Sequence, residues 1–86
     1  MRRLVFDSGA FNDFCQWSIE NKKVFNKIKS LIKNIDRTPF RGIGKPEPLK
    51  FNRKGYWSRR INDEHRLIYK VDVQNIYIAS CKGHYD

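Results

Sequence analysis

Val24, Ile28, Leu31, Ile32 and Ile35 recur at intervals of three and four, so an α-helix gathers all five on one face. Lys22, Lys23, Lys27, Lys29 and Lys33 fall mostly off that face and read first as a solvated surface. A short helix of this kind draws its stability from covering the apolar stripe, so the rest of the chain must supply a complementary surface. Upstream, Phe11, Phe14, Cys15 and Ser18 stand at i, i+3, i+4 and i+7, flanked by Ala10 and Trp17. That spacing predicts a first helix of about three turns, with Asp7 or Ser8 able to cap its start. Asn21 and Lys22 break the pattern, and so short a connection favours an antiparallel helical hairpin.

The covering surface is legible on both sides of the hairpin. Leu4-Val5-Phe6 reads as a short strand, and three more follow in 56–61, 65–71 and 76–82, separated by polar turns at 62–64 and 72–75. Short turns make the last three antiparallel neighbours. The expected fold is a single α+β domain over residues 1–86 in the order β-α-α-β-β-β, with two helices on one face of a small, mainly antiparallel sheet. Two helices cover one face only, which leaves the other face or an edge open. Alternation along 65–71 puts Leu67, Tyr69 and Val71 on one side and Arg66, Ile68 and Lys70 on the other, so Arg66 points to the open face.

The formal charge of +9 makes an anionic partner the expectation, with nucleic acid ahead of an acidic protein or a lipid surface. Two cysteines, Cys15 and Cys81, suit neither a disulfide framework nor a zinc site and read as small buried apolar residues in a reducing compartment. Neither a metal nor a cofactor is expected. The N-terminus lacks the apolar core of a signal peptide, and no segment approaches the roughly 20 apolar residues of a membrane span. A cytoplasmic location follows.

Residues 37–49 are dense in proline and glycine and read as a long loop. Within it, Pro46 and Pro48 hold Glu47 in an extended conformation. From Arg37 to Asn62, Glu47 is the only acidic residue among eight basic ones: Arg37, Arg41, Lys45, Lys50, Arg53, Lys54, Arg59 and Arg60. A surface built only to attract polyanions gains nothing from such a carboxylate, whereas a site that takes a proton beside a phosphate needs one. RNA carries its own nucleophile, the 2′-hydroxyl. A base near it, an acid near the 5′-oxygen and a cation on the phosphorane suffice for metal-free cleavage. If the fold gathers them, Glu47 is the base, His84 the acid and Arg66 the phosphate clamp, its planar fork suited to phosphate oxygens. Lys50, Arg53, Lys54, Arg59 and Arg60, interleaved with Phe51, Tyr56 and Trp57, have the composition of a single-stranded RNA track. The simpler reading of Trp57 is a core strand residue. Tyr85 could stack on a base or orient a phosphate.

The run GKPEPLKFNRKGYWSRRINDEHRLIY and the closing CKGHY resemble the Txe/YoeB toxins of bacterial type II toxin–antitoxin systems, in the RelE/ParE-like superfamily. The similarity is close from about Thr38 onward, and the two helices agree in length and arrangement. The resemblance implies an mRNA endoribonuclease working in the ribosomal A site. It also implies a cognate antitoxin of the YefM/Axe type, which wraps the toxin and joins it in repressing their operon, and a homodimer. By motif position Glu47 resembles the general base, His84 the general acid, Arg66 the transition-state arginine and Tyr85 the terminal tyrosine. Lys50 and Arg60 match basic residues lining the site. Asp86 extends past the tyrosine at which the family commonly ends, and modest tuning of His84 is expected from it. Two rivals differ in class. A gyrase-binding relative needs neither Glu47 nor His84, and a non-catalytic RNA-binding module leaves messages intact.

Overall fold

The stripe of the second helix is buried as its spacing requires. In the computed structural model, which describes residues 1–83, α2 spans Lys22–Arg37, and Val24, Ile28, Leu31, Ile32 and Ile35 are all in the core. Ile28, Leu31 and Ile35 are fully buried, each contributing on the order of 1.5–3 kcal/mol. The helix begins at one residue, Asn21, whose side chain accepts from the Val24 N–H at 3.2 Å.

The first helix, α1 (Ser8–Glu20), is rotated from its expected face. Its buried residues are Ala10 and Trp17, with Phe14 half-buried between them, while Phe11 is 53% exposed and Cys15 is exposed. The largest ring sets the rotation. Trp17 buries its indole only because Nε1–H donates to the Cys81 carbonyl at 3.0 Å, and small Ala10 lets Cys81 approach to 3.5 Å of its carbonyl. The expectation of two buried thiols therefore holds for Cys81 and fails for Cys15.

Among the described residues five strands, not four, form the sheet: β1 (Arg3–Phe6), β2 (Glu47–Pro48), β3 (Trp57–Arg60), β4 (Arg66–Val71) and β5 (Asn75–Ser80). Their order is β1-β5-β4-β3-β2, with β1 parallel to β5 and every other pair antiparallel. The additional strand lies inside the segment read as loop 37–49, and Arg37 of that segment ends α2. Leu67, Tyr69, Ile76 and Ile78 join the helical stripe in one core, and Val71 and Trp57 pack against it. Trp57 is half-buried on the core side of β3, as the simpler reading of it expected, with its ring tilted against the exposed Phe40 at 4.9 Å. A register shift between Ile68 and Tyr69 marks a bulge in β4–β5.

Candidate functional site

Residues paired across an antiparallel ladder share a face of the sheet. Glu47 pairs with Ser58 and Ser58 with Ile68, so these form one row on the side away from the helices. One step along, Arg60 pairs with Arg66. Glu47 is thus the diagonal neighbour of Arg60, a relation that brings backbones to roughly 7–8 Å and long side chains into reach. Over these rows lies a groove of about 470 Å³ lined by Lys45, Glu47, Lys50, Phe51, Arg53, Ser58, Arg60 and Arg66, among others.

Its wall is set by local chemistry. Pro48 is tolerated because β2 is an edge strand, and beyond it the Leu49 N–H donates to the Tyr56 carbonyl at 2.9 Å. A 3-10 turn, Phe51–Arg53, then carries Phe51 out to 91% exposure at φ +57°, a left-handed conformation costly for a side chain of this size. Arg66 is half-buried, and its Nη1 donates to the carbonyls of Asn62 at 2.7 Å and His65 at 3.2 Å. The turn that supplies them is itself fastened, since the Asn62 side chain accepts from the Glu64 and His65 N–H groups at 2.9 and 2.8 Å.

Arg60 and Arg66 stand directly opposite each other on adjacent strands. Like charges in that register repel, and an anion between them relieves the repulsion. Glu47 beside them can accept a proton from whatever the arginines hold. Of the residues read as a site, Glu47, Lys50, Arg53, Arg60 and Arg66 meet in this groove. Lys54 is exposed but not among its lining residues. Tyr56 is half-buried, with the Lys70 ammonium over its ring at 5.1 Å. His84, Tyr85 and Asp86 lie outside the described residues.

Arg59 does not belong to the RNA track. It is fully buried on the core side of β3, where Nη2 donates to the carbonyls of Thr38 and Arg41 at 2.7 and 2.9 Å. Its Nη1 donates to Ile43 at 3.1 Å and to the Asn34 side chain, and Nε to the Tyr69 hydroxyl at 3.1 Å. Consecutive strand residues face opposite ways, so Arg59 and Arg60 could not both line one groove; that signal was available in the sequence. The same alternation would have found Ser58, two residues from Arg60.

The uncovered sheet face of this α+β domain thus holds one carboxylate in a groove with two arginines paired across adjacent strands. Residues 6–85 match the model of the YoeB-like toxin of bacterial type II toxin-antitoxin systems, and the chain belongs to that family. Toxin YoeB of Escherichia coli (strain K12) is 47% identical over 83 residues, 96% of this chain and 99% of that protein. A structure described as the YoeB dimer from Staphylococcus aureus aligns with TM-score 0.93 at 52% identity, covering 98% of each chain. A YoeB-YefM complex from the same organism aligns with TM-score 0.91 at 52% identity, covering 99% of each.

Proposed function

We propose that this toxin is an mRNA endoribonuclease that cuts messages in the ribosomal A site without a metal. Glu47 takes the proton from the 2′-hydroxyl as that oxygen attacks the adjacent phosphorus. The O2′–P bond forms and the P–O5′ bond breaks, leaving a 2′,3′-cyclic phosphate and a 5′-hydroxyl. Arg66, with Arg60 beside it, holds the phosphate oxygens as charge builds on them, and Lys50 and Arg53 hold the flanking backbone. His84, assigned by motif position, gives the leaving oxygen its proton, with Tyr85 beside it in sequence. The observation that carries the reading is the groove itself: one carboxylate diagonal to Arg60, which is in turn paired with Arg66 on the next strand. The S. aureus relatives are described as a dimer and as a complex with YefM. On that likeness this chain pairs with a second copy and is neutralised by a YefM-type antitoxin. Such a target places it in the cytoplasm, and no described helix is long and apolar enough to cross a membrane.

The test is a translation extract programmed with one message in the presence of chelator. Discrete cuts should appear and vanish when hydrogen replaces the 2′-hydroxyl at the cut site. Glu47→Gln should lower cleavage by about 10²–10⁴-fold, the usual range for a general base, with thermal stability unchanged because Glu47 is exposed. If the double variant Glu47→Gln, His84→Gln still arrests growth while messages stay intact, the toxin acts by binding alone.

A further inference from the structure

His65 has no part in the reaction above, and its surroundings give it one. It closes the turn before β4, with a side chain only 12% exposed. Its Nδ1 accepts the backbone N–H of Gly83 at 2.9 Å, and the next residue, Arg66, donates its own N–H to the Gly83 carbonyl at 2.9 Å. Both polar backbone groups of Gly83 are therefore held by two consecutive residues, the second of them the phosphate clamp. The imidazole is fixed in turn by α1, since Trp17 meets it edge-on at 4.9 Å while its indole N–H holds the Cys81 carbonyl. Gly83 adopts φ +88°, which only glycine takes at little cost. A helix, a turn and the segment after β5 thus converge on the residue covalently linked to His84.

We propose that His65 is a positioning residue that clamps the C-terminal segment through its unprotonated Nδ1, so that cleavage requires His65 to be neutral. The catalytic consequence rests on the ribonuclease reading; the clamp is a property of the fold. Accepting from Gly83 requires the lone pair of Nδ1, which places the ring proton on Nε2, 3.8 Å from the Glu64 carboxylate. A second proton would set one N–H against another and release Gly83. The charged groups around the ring are mixed. Glu64 comes from the turn, Arg66 bonds the His65 carbonyl, and Lys82 lies over the Trp17 ring at 5.8 Å. α1 presents the uncharged Trp17, with Asp13 near enough to act on Cys81.

Two readouts test this. In wild-type protein the Gly83 amide resonance should move with the titration of His65, a signal independent of any RNA. His65→Phe keeps a ring against Trp17 without an acceptor, and His65→Asn keeps an acceptor without the ring. With both variants folded, His65→Phe should lose on the order of tenfold to a hundredfold in cleavage, the cost of a misplaced catalytic group, and His65→Asn should regain most of it. The acid limb of the wild-type pH profile should move to lower pH in His65→Asn, which has no imidazole to protonate. A Gly83 amide indifferent to His65 titration overturns the clamp, as does His65→Phe cleaving at the wild-type rate. Should His65→Phe fail to fold, the wild-type titration decides alone. A Gly83 amide that titrates in a protein that cuts no message keeps the clamp and removes the ribonuclease.

Discussion

Arg59 is a buried cation whose guanidinium donates to neutral oxygens: three loop carbonyls, an asparagine side chain and a tyrosine hydroxyl. Desolvating a charge is costly, and the offset comes from several charge-assisted bonds made at once by one planar fork. A lysine has a compact head and cannot reach the same set. Arg59→Lys should therefore cost about 2–4 kcal/mol, read as a lower denaturant midpoint at unchanged slope. Arg60, one residue on, has the opposite fate, exposed in the groove opposite Arg66. Tyr69 extends the Arg59 network, its hydroxyl donating to the Pro39 carbonyl at 2.7 Å.

The segment 38–46 is the element on which the groove depends, because it delivers Glu47 to β2. It has almost no regular structure and is fastened from outside. Arg59 holds its carbonyls, the Asn34 side chain accepts the Ile43 N–H at 3.3 Å, and the Gly44 carbonyl accepts the Arg60 N–H at 2.6 Å. Gly44 sits at φ +81°, and a Cβ there would fall 2.8 Å from a Leu31 methyl and 3.1 Å from the Arg60 carbonyl. Gly55 shares the left-handed conformation, at φ +97°, but faces open space. Gly44→Ala should cost about 1–3 kcal/mol from strain with crowding, and Gly55→Ala only the smaller strain part. Paired thermal melts check the order; equal losses would mean that crowding at Gly44 is relieved without cost.

At the scale of the whole molecule, two buried acids set the behaviour in base. Burial pushes the Cys81 thiol from its ordinary 9.0 up to about 12, with Asp13 adding to the rise, and burial also raises Tyr69 despite the nearby Arg59. Both groups hold their protons more tightly folded than unfolded. Their contribution is therefore intact below pH 9 and is lost as the pH climbs toward 12. Melting temperature should fall progressively above pH 9. Native protein should offer one fast thiol to a disulfide reagent, the exposed Cys15, and a second only on unfolding. Two equally reactive native thiols would contradict the buried position of Cys81.

The amino-acid sequence by itself determined what depends on near neighbours. Helical spacing fixed α2 and its buried face, alternation in β4 placed Arg66 on the uncovered side, and paired prolines with a lone carboxylate marked Glu47. Those signals are local, carried by periods of 3.6 and 2. Tertiary structure alone decided the rotation of α1, the added strand at Glu47–Pro48 and the hold of His65 on Gly83. Each of these rests on a partner far along the chain: Trp17 on Cys81, Glu47 on Ser58, His65 on a backbone N–H eighteen residues away. No periodicity encodes such a pairing, because it exists only once the strands have taken their places beside one another.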